Sequence, residues 1–558
     1  MSKLTLLVDA LFAVLAFVLL KNIFAKKKLT LIIPAAICLF SVATLIFFYV
    51  CNTTEIINVW LNSHSSTPLI YKICGIWGNH EGSMLLFFTF LTTWSAILLK
   101  EDNEITLASF FLLALGAYVY FKADPFIFLD MKVNSGQDLS PALQNPYLTT
   151  HPPILYLGQT LCFVIWIWSI FSKNNLKFYT NLCFGLMTLG LILGSRWAYS
   201  ELGWGGFWYW DPVETVSLFP WITIVAAVHG KSNRIALLLS FPMVMTSMCL
   251  VRSGVLVSVH SFGLDLQNGL WIGVCTCLAW IATLAAFIKN PPKEISSITL
   301  GFLIYLGLLV ALILFPIAYT YFCSTNFIID EDFFHKYITP ITVLLLLMLG
   351  FAPNMKITQH SWSIICALTS TMLWYFKVQP FHSYFAIIFT FIGFWLIFSS
   401  IKYLKLIWQK GFVSAHLGIG LCILGASHSS IFTEKIDVKI NDMPIKIGNY
   451  TISYKSQELI ETPQMRREII HLLVNAKEIS PELQFFHVSK ITKHQSAWIQ
   501  MNLDHFHANI YADHHNIWQC EIMLKPMIAL FWFGLMLVIF GICISIINNS
   551  AASDRVLQ

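Results

Sequence analysis

Four tryptophans, Trp197, Trp204, Trp208 and Trp210, crowd into Gly194-Ser-Arg-Trp-Ala-Tyr-Ser-Glu-Leu-Gly-Trp-Gly-Gly-Phe-Trp-Tyr-Trp-Asp-Pro-Val-Glu214 beside three other aromatic residues. The interleaved glycines let backbone approach a flat, apolar ligand closely, and the indole faces give it a surface to stack on. Tryptophan also anchors spans at a bilayer interface, but there it occurs as isolated anchors rather than a continuous patch. The end of the stretch has its own structural account: Asp211, Pro212 and Glu214 stand in the order of an N-cap acid, a first-turn proline and a capping-box glutamate. These three are read as a helix cap, not as chemistry.

Histidines are the second signal. His151 opens His151-Pro-Pro-Ile-Leu-Tyr-Leu-Gly158, and His260 closes Val251-Arg-Ser-Gly-Val-Leu-Val-Ser-Val-His260, so the two bracket the aromatic stretch at the same ends of their spans. His229 and His416 form another pair at the opposite face. His229 stands roughly 25 Å of helix beyond Pro212 and just before Lys231, and His416 follows Lys410 into the next span. Two imidazoles at similar depth suit bis-histidine ligation of a haem iron, and ionisable groups inside spans are functional candidates by default. Zinc would want three or four close ligands; no HExxH or cysteine cluster occurs, and no phosphate-binding glycine loop precedes a helix. The thirteen cysteines include no CxxC pair, and Cys275 and Cys277 face different directions on one expected helix. His505, His507, His514 and His515 are expected to be exposed and solvated, and no role is assigned to them or to His80.

These residues need a scaffold. A chain of 558 residues that is 57% hydrophobic and 11% charged, with mean hydropathy +0.69, cannot hide its apolar surface in one water-soluble core. Its runs of about 20 apolar residues are the length that crosses a bilayer. About fifteen such spans are expected, centred near residues 14, 40, 91, 113, 162, 185, 221, 243, 279, 309, 345, 369, 395, 421 and 536. The first, Leu4 to Phe24, lacks a small-residue cleavage site and is read as a retained span. Lys26 to Lys28, Lys173 with Lys177, Lys231 with Arg234, Lys289 with Lys293, and Lys402, Lys405 and Lys410 all fall on one side. By the positive-inside rule that side is cytoplasmic, which puts the N-terminus outside and the C-terminus inside. The formal net charge of +5 is small for this length, and no nucleic-acid partner is expected.

The other side receives loops 52–81, 122–152, 194–212 and 252–268, and a large insert over 433–524. There the alternation in Ile436-Asp-Val-Lys-Ile440 and Ile445-Lys-Ile-Gly-Asn-Tyr-Thr-Ile-Ser453 reads as short strands. The expected fold is therefore an all-α polytopic integral membrane protein with a small external β-rich domain. Residues 1–432 form a membrane domain of about fourteen helices carrying the tryptophan-rich loop (194–214). Residues 433–524 form an external, periplasmic soluble insert, and 525–558 the last transmembrane helix with a cytoplasmic tail.

Five signatures stand in order: Trp77-Gly-Asn-His-Glu-Gly-Ser83, the His151 segment, Glu201-Leu-Gly-Trp-Gly-Gly206, Trp210-Asp-Pro-Val-Glu214 and the segment ending at His260. With them the chain resembles the CcmF/CycK/NrfE family, large membrane subunits of the cytochrome c haem lyase of system I maturation, whose tryptophan-rich WWD domain handles haem. The resemblance runs from the N-terminal spans to the final helix. It implies that His151 and His260 ligate an external haem presented on the tryptophan-rich stretch of Trp197, Trp204, Trp208 and Trp210, and Arg196 and Arg252 are read beside them as further candidate haem contacts. It implies too that His229 and His416 hold a resident haem b that serves as reductant. Haem, the transferred substrate, would come from the chaperone CcmE, and apocytochrome c through CcmH and related thioredoxin-like subunits. The vinyl groups would then be joined to the thiols of a CxxCH motif without a protein nucleophile. The implied location is the bacterial inner membrane with a periplasmic active face, in preference to the mitochondrial inner membrane.

The chain departs from the family pattern at three positions in the loop. Arg196, Ser200 and Phe207 stand where tryptophan, tyrosine and tryptophan are usual, and Arg196 offers a haem propionate a partner instead of a stacking face. The chain is also shorter than typical members, mainly in its second half. Two other readings share the platform: a haem transporter or exporter, which would not need the second histidine pair, and an NrfE-like paralogue dedicated to one multihaem cytochrome.

Overall fold

Backbone that enters lipid must satisfy its own hydrogen bonds, so apolar runs of this length fold as helices. The computed structural model describes residues 2–25, 30–130, 133, 135–173, 176–201, 203, 205–230, 233–256, 266–292, 294–323, 331–350, 361–377, 384–512 and 518–557. Among them, thirteen helices are long and apolar enough to cross a membrane, from Lys3–Phe24 to Ile528–Ser550. Helices Glu331–Gly350 and Ser361–Lys377 stand where the remaining expected spans fall. The protein is a multi-pass helical membrane protein with a β-rich domain near its C-terminus.

The chain divides into two compact units, Met1–Leu193 with Tyr209–Thr339, and Gly194–Trp208 with Pro340–Gln558. In the first unit, the segments around residues 55–63 and 127–138 are zipped by main-chain bonds, Ile57 N–H to Ile127 O and Gln137 N–H to Trp60 O among them. The Trp77 indole donates to Leu148 O at 2.8 Å, and Asn79 accepts from Gly82 N–H to cap helix His80–Leu98. The signature beginning at Trp77 thus ties the entry to one helix to the segment that leads into His151.

In the second unit, helices Gly411–Phe432 and Ile528–Leu557 pack backbone to backbone. A Cβ on Gly418 would lie 2.4 Å from Gly534 O, and the Ser414 hydroxyl donates to Leu537 O at 2.8 Å. Small residues at the seam give the pair its close approach.

Between these helices come β1 (Glu434–Lys439), β2 (Ile445–Ile447), β3 (Tyr450–Glu461), β4 (Met465–Val474), β5 (Lys477–Ile479), β6 (Glu482–Phe486), β7 (Thr492–Gln495), β8 (Ala497–Met501), β9 (Asp504–Ala512) and β10 (Trp518–Lys525). One sheet runs β1-β10-β9-β8. The other runs β2-β3-β4-β6-β7, with β5 on β4, and every pairing is antiparallel. Ile452, Ile470 and Leu472 of one sheet share a core with Phe506, Ile510 and Ile522 of the other. Because β1 pairs with β10, Glu434 opposite Leu524, the chain enters and leaves this domain side by side.

The aromatic stretch differs from the expected loop. Helix Lys177–Glu201 runs through its first third, so Arg196 and Trp197 stand on helical turns. Nothing from Ser195 to Glu201 breaks a helix, and the turn begins where glycine permits it, with left-handed backbone at Gly203 and Gly205.

Candidate functional site

His151 is the first residue of helix His151–Ile170 and is half-buried. Its Nδ1–H donates to Gly190 O at 2.7 Å, since a carbonyl can only accept. In the neutral ring that leaves Nε2 as the basic nitrogen, the arrangement usual for metal-ligating imidazoles. The contact exists because Gly190 lets two helices meet: a Cβ there would stand 2.9 Å from Leu155 Cα. Gly190→Val is therefore expected to cost about 3 kcal/mol through overpacking. It should be read as a lower thermal midpoint in detergent, and an unchanged midpoint would show that the helices can part without penalty.

His229 repeats the device at the end of helix Pro212–His229, with Nδ1–H donating to Val225 O at 2.9 Å and Phe302 beside the ring. His416 lies on Gly411–Phe432 next to Phe412. His229 belongs to the first unit and His416 to the second.

At the start of the His229 helix, Asp211 accepts from Val213 and Glu214 N–H, Pro212 occupies the first turn, and Glu214 reaches back to Tyr209 N–H. Trp210, just before, has φ +56, a left-handed conformation that costs a bulky residue roughly 1–2 kcal/mol. Trp208 and Trp210 are half-buried, whereas Trp197 is buried.

Arg252 is buried, and its guanidinium donates to Ser83 Oγ at 2.9 Å, Tyr156 Oη at 3.3 Å and His80 Nδ1 at 3.4 Å. His80 Nε2 in turn meets Tyr118 Oη at 2.9 Å. His80 thus orients Arg252, a role that no local pattern in the sequence announced.

In the second unit the largest departure from expectation concerns the insert histidines. His505 and His507 are 2% and 0% exposed, not solvated. They sit at alternate positions of β9, so both face away from the core that takes Phe506 and Ala508. Described residues of the aromatic stretch, Arg196 and Tyr199 foremost, cover that face. Tyr199 Oη is hydrogen-bonded to His505 Nδ1 at 3.0 Å, and Trp498 stacks on the His505 ring. The Arg196 guanidinium lies 4.1 Å from the Trp498 centroid and 4.5 Å from that of Trp532. Arg196, expected to keep its cation for a propionate rather than stack, therefore stacks as well.

A Glu201–Lys493 ion pair, the Ser496 hydroxyl on Ser200 O, the Asn509 amide on Gly203 O and the stacking of Phe207 on Phe531 extend the clasp. Burial pushes both histidines down to about 4, helped for His505 by Arg196 and His507 and for His507 by Lys525; the backbone of Tyr199 offsets this only partly at His507. The alternation of His505, His507 and Asn509 with Phe506, Ala508 and Ile510 was the available signal.

His260, Trp204, His514 and His515 lie outside the described residues. Among the described residues no three histidine, cysteine or carboxylate groups come together as a metal site. A porphyrin iron needs only two protein ligands, because the macrocycle supplies the other four donors, so paired histidines fit it where they would not fit zinc.

A family profile described as "Cytochrome C assembly protein" matches residues 77–256. The cytochrome c-type biogenesis protein CycK of Rhizobium meliloti is 38% identical over 42% of this chain, and the chain spans 39% of that protein's length. The cytochrome c-type biogenesis protein CcmF of Escherichia coli is 26% identical over 88% of this chain and 87% of its own. A solved structure of "Cytochrome c Heme Lyase CcmF" shares the fold, with a TM-score of 0.75 and 14% identity over 96% of both chains.

Proposed function

We propose a function from one premise: the chain belongs to the CcmF/CycK/NrfE family of cytochrome c-type biogenesis proteins. It is a cytochrome c haem lyase subunit of the bacterial inner membrane, its active face periplasmic, that takes haem from the chaperone CcmE. It presents that haem to apocytochrome c delivered by CcmH and related subunits. The observation that carries the reading is the pose of His151, whose Nδ1–H is held by Gly190 O so that Nε2 is left as the basic nitrogen.

His151 and His260 fix the haem plane, and the aromatic loop covers its face. Each thiol of the CxxCH motif adds across one vinyl group, sulfur to one carbon and hydrogen to the other, so the addition moves no net electrons. No protein nucleophile takes part; orientation lowers the barrier. A resident haem b, for which His229 and His416 are the candidate ligands, would supply electrons that keep the substrate iron ferrous. The chain's own contribution there is to hold His229 with Nε2 basic through Val225 O.

The test is complementation of a strain lacking this subunit, followed by haem staining of its c-type cytochromes. Restored staining supports the lyase reading; none, at normal abundance and with client cytochromes present, overturns it. In parallel, purified protein should show a low-spin b-type spectrum that His229→Ala or His416→Ala removes. Wild-type-like spectra in both variants would refute the inner site.

A further inference from the structure

Helices His151–Ile170 and Lys177–Glu201 meet over a cluster of sulfur atoms deep in the first unit. Cys162 Sγ stands 3.4 Å from Cys183 Sγ, and the Met187 thioether lies 3.9 Å from the first and 3.8 Å from the second. All three side chains are buried, and neither cysteine is in a disulfide. Gly158 makes room for the third sulfur, since a Cβ there would stand 2.5 Å from Met187 Cγ. Its carbonyl also receives the Cys183 thiol at 3.3 Å, which fixes where that sulfur points.

A single sulfur contact between helices is ordinary apolar packing. Three sulfurs in mutual contact, brought from two helices and admitted by a glycine, make a donor set. The point equidistant from them lies about 2.1 Å from each, close to the roughly 2.3 Å of a metal–thiolate bond. The ligand types choose the metal. Zinc in a closed site takes four ligands and hard cations take oxygen, whereas two thiolates and a thioether suit the soft cuprous ion. The third donor is a methionine and the cysteines lie 21 positions apart, so no cysteine motif marks the cluster in the sequence.

We infer that Cys162, Cys183 and Met187 form a site for one cuprous ion inside the membrane domain. The inference is independent of the haem-presenting reading and uses none of its residues. Binding is an exchange without electron transfer: Cu(I) enters, two thiol protons leave, and copper stays Cu(I). The complex carries a single negative charge spread over three polarizable sulfurs.

The test titrates purified full-length protein, kept reduced and free of oxygen, with Cu(I) in competition with bicinchoninate, whose coloured complex reports the copper left over. Cys162→Ser with Cys183→Ser should bind one equivalent fewer than wild type, while copper held elsewhere by other cysteines and histidines is the same in both. Met187→Leu conserves volume and leaves the fold intact, and it should weaken that equivalent roughly tenfold or more. X-ray absorption at the copper edge should find three sulfur neighbours at about 2.3 Å in wild type loaded with one equivalent, and two in Met187→Leu. Equal copper binding by wild type and the double cysteine variant overturns the site. So does a first equivalent whose neighbours in wild type include nitrogen or fewer than three sulfurs.

Discussion

Replacing His151 with alanine should lower holocytochrome c formation by roughly 100-fold or more, because a misplaced reacting group costs on that order and here a ligand is lost outright. The fold should survive. His151 is the first residue of its helix, where the N–H has no intrahelical partner in any residue, and Pro152 and Pro153 set the first turn. The structural loss is the hydrogen bond to Gly190 O, about 1 kcal/mol. Stability and activity should therefore separate: protein abundance by immunoblot near normal, haem staining of cytochromes absent. Added imidazole should restore part of the staining by filling the vacated ligand position. An interfacial role for the loop makes the opposite forecast, since aromatic anchoring does not depend on an imidazole. Near-normal staining in His151→Ala at normal abundance would remove the haem platform from consideration.

The features written locally in the sequence were legible there. Spans announce themselves because a bilayer demands an uninterrupted apolar length. The start of the His229 helix is spelled by Asp211 and Pro212, whose chemistry acts on the next two residues and on nothing further away. Strands β1 and β3 follow from alternation, which needs only one buried face. That assumption is what failed at β9. One face of Asp504–Ala512 packs in the domain core, and the other, bearing His505 and His507, reads as a solvent face, as polar alternation normally implies. It is instead covered by residues 306 and 296 positions earlier: Tyr199 bonds to His505, and Ser200 to Ser496.

The departures of the loop and the peculiarities of the insert are one fact seen twice. An arginine at 196 is stabilised where two tryptophans, Trp498 and Trp532, flank it. Each substitution is unremarkable when read alone, and neither points to the other without the fold. The same holds for Arg252 and His80, which meet across 172 positions of sequence. The segment joining helix to turn is held by side chains whose partners lie in a domain that looked separate.

That clasp should be acid-labile. His505 and His507 sit at about 4 in the folded protein, chiefly because burial opposes their charged forms, against an ordinary value near 6.5. Arg196 and His507 add to the opposition at His505, and Lys525 adds to it at His507. The carboxylates on the adjoining strands do not relieve it: Asp504 is engaged by Tyr450 and Met527 N–H, and Glu521 by Lys435 and Asn509. Above pH 6.5 the imidazoles are neutral whether the protein is folded or not, and their contribution is fully present. As the pH falls from 6.5 towards 4, the unfolded chain takes up protons that the folded chain refuses, so stability is lost across that window. The loss is about 1.4 kcal/mol per pH unit for each histidine, or about 2 kcal/mol apiece by pH 5. The thermal midpoint of purified protein in detergent should accordingly be flat from pH 8 to 7 and fall steeply below 6. His505→Asn with His507→Gln, which cannot take up those protons, should start lower and stay nearly level over the same range. A wild-type midpoint that does not move between pH 7 and 5, or a double variant that keeps the wild-type slope, would mean that the two imidazoles are not held neutral by the clasp.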